Sequence, residues 1–264
     1  MSITLTPRNE APVCYGFSWE ITDEQRLSEL VARLMLGHYR HVQKILSGNV
    51  QSSSPQVTDE MIDELVGKLA EPESDAHRYQ RDGWVFQMIS WIAAMLAEPG
   101  SIMAIPHSQE SQKGFDNLII KFVVQSDDVS AVVICEDKAT ENSRKTIREE
   151  VWPEIENFER GHRDHELVNE VTAILERSHS VNDIDKCMAD IFWKKVRRYR
   201  VAITTNHQDN MRHRQKLFKD YDMKARGNTE RRRAETIRID QLRTWMDSFC
   251  ANIIECLEDL RCMI

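Results

Sequence analysis

The chain has 264 residues, 41% of them apolar and 30% charged, enough for one sizeable buried core. No run of about 18 apolar residues occurs, which argues against a membrane-spanning helix, and the opening "MSITLTPRNEAP" lacks the basic-then-apolar order of a secretory leader, so a cytoplasmic location is expected. A net charge of −8 taken alone opposes nucleic-acid binding, and the six cysteines, with no C-x-x-C pair, read as reduced and mostly buried thiols rather than a zinc knuckle.

Residues 1–75 read as a helical N-terminal region. "TDEQRLSELVARLMLGHYRHVQKILSG" places Thr22 as an N-cap, acidic residues in the first turn, apolar residues at helical spacing and Gly48 after the end. The polar "NVQSSSPQ" is a loop, and Thr58 caps a second helix in "TDEMIDELVGKLAE". After the breaker "EPES", the segment "DAHRYQRDGWVFQMISWIAAMLAE" repeats Trp84, Met88, Trp91, Ala94 and Met95 every three or four residues, the pattern of a central core helix.

Beyond Gly100 the pattern turns strand-like. "SIMAIP", "FDNLIIKFVV" and "VSAVVICEDKA" are three strands, and the short "QSDD" turn makes the last two antiparallel. "ENSRKTIREEVWPEIENFERG" is a helix in which Pro153 predicts a kink or break near Trp152. "HELVNEVTAILERS" and "IDKCMADIFWKKVRRY" are two more helices, and "RVAITTN" is a buried strand that docks beside the meander after its helical crossover. The order predicts an α/β fold: a core over 76–206 with a mixed central sheet flanked by helices, followed over 207–264 by a basic, then amphipathic, helical region interrupted near Gly227.

Charge is unevenly spread. From Lys194 to Arg243 there are sixteen Lys and Arg against six Asp and Glu, a local +10 in a chain whose remainder carries −18. Runs such as "KKVRRYR" and "KARGNTERRR" read either as solvated helix faces or as a polyanion-binding surface, with Lys194, Lys195, Arg197, Arg198, Arg231, Arg232 and Arg233 as its candidates. Lys145 and Arg148, one helical turn apart after the third strand, are placed to touch a nucleic-acid backbone.

The charged end of the third strand needs a reason, since a buried carboxylate or ammonium is costly unless paired or metal-bound. Strand alternation points Glu136 and Lys138 to one face and Asp137 to the other. Asp116, entering the adjacent antiparallel strand, can approach Glu136 so that both hold one hard divalent cation, Mg²⁺ or Mn²⁺, with Lys138 beside an attacking water. That trio suits phosphodiester hydrolysis.

"GFD", Gly114 to Asp116, followed by "EDK", Glu136 to Lys138, resembles the PD-(D/E)xK nuclease superfamily of restriction-endonuclease-like fold. The match covers about half the chain, Tyr79 to Asn206, and the order of helix, meander, helix and fourth strand agrees with it. The resemblance implies Asp116, Glu136 and Lys138 as catalytic residues, with Asp116 and Glu136 on the metal. Many members add a Glu from the leading helix; here Gln87 stands there, a neutral ligand that weakens Mg²⁺ binding. "KGFDNLII", "VVICEDKA" and the long helical leader also look like the nuclease subunits of Hachiman-type anti-phage defence systems. That likeness implies DNA rather than RNA as substrate and a helicase as protein partner.

Two other readings stay open. The chain could be a catalytically weak nuclease-fold module that binds nucleic acid or a partner, or a helical scaffold whose C-terminal stripe, Ile239, Leu242, Trp245, Met246, Phe249, Ile253, Cys256, Leu257 and Leu260, is core, a partner surface or a homo-oligomer interface. His107 lies close enough in sequence to touch a phosphate, while His162 and His165 have metal-like spacing with no second pair. No phosphate-binding G-x-x-x-x-G-K-[ST], no G-x-S-x-G elbow and no recognisable base-reading module occurs.

Overall fold

The computed structural model describes residues 1–49, 56–110, 114–123, 125–126, 128–178, 189, 196–208 and 210–262. Its first element corrects the expected helical start. Strands β1 (Ile3–Glu10) and β2 (Cys14–Ile21) form an antiparallel hairpin with Ile3 opposite Ile21 and Glu10 opposite Cys14. The exposed polar residues of β1 and the aromatic and β-branched content of β2 favour a pleated ribbon, and the turn between them carries Pro12.

Helix α1 (Glu24–Met35) follows, capped not by Thr22 but by Asp23, whose Oδ1 accepts from Arg26 N at 2.8 Å. α2 is Tyr39–Leu46. α3 (Asp59–Leu69) begins at Thr58 as expected, and α4 (Asp75–Ala97) begins at Ser74, whose hydroxyl accepts from His77 N at 3.2 Å. α4 is apolar almost all round, burying Trp84, Val85, Phe86, Met88, Ile89, Trp91 and Ile92. A helix of that kind belongs inside a core.

The meander forms as read: β3 (Ile102–Met103), β4 (Asn117–Phe122) and β5 (Val129–Lys138) pair antiparallel. Pro153 acts differently from the expected break. α5 (Ser143–Thr146) passes into a π-helical turn (Ile147–Val151) and continues as α6 (Trp152–Arg160), so the missing N–H of Pro153 is absorbed by a wider ladder just before it. α7 is Asp164–Ser178. The helix read over "IDKCMADIFWKKVRRY" lies outside the described residues up to Lys195, but its last residues belong to a strand, β6 (Arg197–Thr205), which pairs parallel with β5.

The tail departs most from expectation. α8 (Met211–Leu217), α9 (Tyr221–Lys224) and a 3₁₀ turn (Thr229–Arg231) lead into β7 (Arg232–Arg238), then α10 (Leu242–Arg261). β7 lies parallel to β6 on one side and to β2 on the other, giving a seven-stranded mixed sheet in the order β1-β2-β7-β6-β5-β4-β3. The terminal regions are therefore not helical appendages; each puts strands into the sheet that also carries residues 76–206. Gly16 makes the junction possible, because it faces Ala234 so closely that a Cβ there would meet the Ala234 carbonyl oxygen at 2.0 Å.

Each face of the sheet has its own core. α1, α4 and α10 cover one, against Ile119, Val133 and Cys135; the π-turn, α6 and α7 cover the other, against Leu118, Ile120, Val132, Ile134 and Val201. The C-terminal stripe of α10, from Leu242 and Met246 to Leu257 and Leu260, is buried in the first core and is not a free face. Burial pushes the thiols of Cys14, Cys135 and Cys250 up to about 12, which makes them inert; Cys262 is exposed and Cys187 lies outside the described residues. No described helix is long and apolar enough to cross a membrane.

Candidate active site

Antiparallel register creates the site. Asn117 pairs with Cys135, so Asp116, one residue before β4, falls beside Glu136 at the C-terminal end of β5. Lys138 holds the two acids together: its Nζ lies 3.2 Å from Asp116 Oδ2 and 3.1 Å from Glu136 Oε2. Asp116 is fixed further by Asp137 N, which donates to Oδ2 at 2.8 Å, and by Gln87 Nε2 from α4, which donates to Oδ1 at 2.8 Å. The four residues singled out in the sequence, Gln87, Asp116, Glu136 and Lys138, thus converge.

Two carboxylates sharing one ammonium leave the trio one negative charge in excess. Burial pushes the Glu136 carboxyl from 4.5 up to about 7; Lys138 opposes the shift and Asp116 adds to it. Burial alone would lower Lys138, but Glu136 and Asp116 outweigh it and raise the ammonium well above its ordinary range. Asp137 turns to the opposite face, as alternation requires, where its Oδ1 accepts from Ser90 Oγ at 2.6 Å and from Arg200 Nη1 at 3.1 Å. Its Oδ2 is buried without a partner, and burial, opposed by Arg200, lifts this carboxyl to about 6.

Beside the trio opens a cleft of about 620 Å³ that Asp116, Lys138 and Asp137 line, while Glu136 stays buried behind them. One stripe of α4, Tyr79, Gln80, Gly83, Trp84 and Gln87, forms one wall, and the segment after β5 with Lys145 and Glu150 forms the other. His107 also lines it, and its carbonyl accepts from Trp84 Nε1 at 2.8 Å. Tyr79, Gly83 and Arg243 in this cleft were not candidates from sequence. Their only sequence signal was a shared helical phase with Gln87 for the first two, and none for Arg243.

The donor set suits a hard cation, since Asp116 and Glu136 supply carboxylate oxygens and Mg²⁺ is commonly held by one or two carboxylates with water and phosphate completing the shell. Among the described residues no group of three His, Cys, Asp or Glu is arranged around a metal position. Gln87 spends its amide N–H on Asp116. Its role in the structure is therefore to orient a carboxylate.

The basic candidates divide sharply. Lys145 is exposed on the cleft wall, 3.9 Å from Glu149; Arg148 is exposed, pairs with Glu149 at 2.6 Å and is not part of the lining. Arg198 lies 3.6 Å from Glu230. The rest do not form the expected surface. Arg197 is buried, donating to Phe158 O at 2.9 Å and pairing with Asp164 at 2.7 Å. Arg231 pairs with Glu159 at 2.7 Å. Arg232 is buried and caps the carbonyls of Pro12, Val13, Ala225 and Gly227, while buried Arg233 binds Glu235 and Glu98. A run of Arg on a strand can serve the interior when carboxylates and carbonyls meet it there, and composition alone does not distinguish that from a surface. Lys194 and Lys195 lie outside the described residues. His162 and His165 are both exposed.

No protein-family model, no curated protein and no solved structure matches the chain.

Proposed function

We propose that the protein is a metal-dependent nuclease that hydrolyses phosphodiester bonds, with DNA as the first substrate to test. The observation that carries this reading is the meeting of Asp116 and Glu136 on Lys138, with Asp116 and Lys138 lining an open cleft. Asp116 and Glu136 would hold Mg²⁺ or Mn²⁺, with Gln87 and the Asp137 N–H fixing Asp116. When bound, such an ion lowers the pKa of a water and neutralises charge on a phosphoryl oxygen. Lys138 then keeps an ammonium at the same point, where it orients the nucleophile or stabilises charge developing on the phosphate. Lys145 is placed to receive a neighbouring phosphate at the wall.

One observation favours the second reading, a catalytically weak module that binds nucleic acid or a partner: only two carboxylates meet at Lys138, Glu136 is not part of the cleft lining, and Gln87 beside Asp116 is neutral. The resemblance to Hachiman-type nuclease subunits extends the proposal to anti-phage defence beside a helicase partner. Incubating the protein with plasmid DNA, linear DNA and RNA in Mg²⁺, in Mn²⁺ and in chelator, beside Glu136→Ala and Lys138→Ala, tests it. Metal-dependent cutting lost in both variants supports the nuclease; binding unchanged by both, with no cutting, supports the module.

A further inference from the structure

The Tyr79 side of the cleft carries an arrangement that metal chemistry does not require. Tyr79 is 58% exposed although it lines a cleft. One face of its ring is covered by the Arg243 guanidinium, 4.6 Å from the ring centroid. Arg243 is itself held by buried Asp82 and lies 3.8 Å from Glu141, so its charge is already balanced and its plane is fixed. Asp82 is anchored in turn by Arg81, and Arg81 by Asp247 at 2.5 Å. Four charged residues thus brace one exposed ring. Among the described residues no second aromatic ring covers its other face.

The path between this ring and the trio is bare. Tyr79, Gly83 and Gln87 follow at intervals of four along α4, so they share one stripe that ends at Asp116. Glycine inside a helix is unfavourable, and packing does not demand it at 83: a Cβ built there meets nothing within 4 Å. What the missing side chain does is leave the cleft floor open between the ring and the carboxylates. Eight residues at a rise of 1.5 Å put the backbones of Tyr79 and Gln87 about 12 Å apart along the helix axis, so the ring is set away from the trio.

We propose that Tyr79, backed by Arg243, is a stacking platform for an unpaired nucleobase, so that the strand crossing the cleft over Gly83 is single-stranded there. The inference rests on the nuclease reading and narrows its substrate to single strands or frayed ends. An aromatic ring accepts the face of any base, and a guanidinium beneath the ring strengthens its hold. Bases inside a duplex have both faces occupied by their neighbours, so a paired strand does not engage the platform.

The test is equilibrium binding in chelator, where no cutting occurs, followed by fluorescence anisotropy of labelled oligothymidylate, oligouridylate and a blunt DNA duplex. Tyr79→Ala is expected to weaken single-strand binding about tenfold, with Tyr79→Phe and Tyr79→Trp within about twofold and the duplex unaffected. Gly83→Leu, whose Cβ meets nothing within 4 Å, is expected to fill the floor and weaken the same single strand with an undiminished melting temperature. Preference between oligouridylate and its 2′-deoxy counterpart, which carry the same base, names the sugar. The platform is overturned if Tyr79→Ala binds the single strand as the wild type does, if it loses duplex and single strand alike, or if the wild type binds neither. Cutting in Mg²⁺ that depends on Glu136 but not on Tyr79 leaves the nuclease reading standing without the platform. Tyr79-dependent binding with no cutting leaves the platform standing without the nuclease.

Discussion

Glu136 and Glu235 are both buried glutamates in the same sheet, and their environments push them in opposite directions. Burial opposes the ionised form of each. For Glu235, Arg200 and Arg233 overcome it and hold the carboxyl below its usual range; for Glu136, burial prevails because its one cation, Lys138, is shared with Asp116. The wider clusters repeat the contrast. Arg200, Arg233 and Lys121 interleave with Asp137, Glu235 and Glu98, three cations against three acids, whereas the trio sets one cation against two. A balanced cluster sealed within the sheet is architecture. An acid-rich one at the edge of a cleft leaves one acid uncompensated.

Breaking the balanced side should have the larger effect on stability. Arg200 and Glu235 are both 0% exposed, so Arg200→Ala leaves buried carboxylates uncompensated and is expected to cost about 3–5 kcal/mol, read by chemical denaturation. On the acid-rich side, Glu136→Ala and Lys138→Ala should instead lower metal-dependent cutting about 10²–10³-fold; Glu136→Ala leaves Lys138 paired with Asp116, so its melting temperature stays near that of the wild type. The comparison fails if Glu136→Ala unfolds as Arg200→Ala does.

The opposite shifts also predict opposite pH responses. Glu136 titrates near 7 when folded, above its ordinary 4.5, so between those values the folded state binds more protons than the unfolded chain. Metal-free wild type should therefore lose stability as pH rises from 4.5 to 7, by on the order of 2 kcal/mol, relative to Glu136→Gln, and then level off. Glu235, held low by its two arginines, contributes stability present above the ordinary carboxylate range and lost as pH falls below it. Because a metal must displace the Glu136 proton, Mg²⁺ affinity measured by calorimetry should climb through pH 7 and flatten above it. The smallest effect is expected from Gln87→Glu, which adds a third carboxylate beside Asp116: lower metal-free stability, with Mg²⁺ bound about tenfold more tightly.

The site was legible in the sequence because it obeys local rules. Alternation along "VVICEDKA" separates Glu136 and Lys138 from Asp137, a short turn fixes the antiparallel partner, and a strand of apolar residues ending in charges announces something to be explained. Gln87 is singled out through the nuclease-family resemblance, which looks for a ligand on the leading helix, and not through spacing alone. What escaped was non-local. β7 reads "RRAETIR", hydrophilic by composition, and becomes an interior strand only because Glu235 meets Arg200 and Arg233, and because Arg232 meets four carbonyls from distant segments. Arg214 hides in the same way, pairing with Glu10 across more than two hundred residues at 2.7 Å. Charge counts along a chain register the number of cations but not whether they have partners, so the basic tail looked like a surface.

Strand order has a consequence for synthesis. β7 leaves the ribosome after the other six described strands, yet it lies between β2, made some two hundred residues before it, and β6. Until residue 238 is available, β2 and β6 each present an unpaired edge, and the hairpin has no route into the sheet. A message cut short before β7 therefore yields a chain holding every residue of the acidic trio but no closed sheet to support it. Closure of the sheet waits on the synthesis of β7, and a shorter product is left as a substrate for proteases instead of an independent unit.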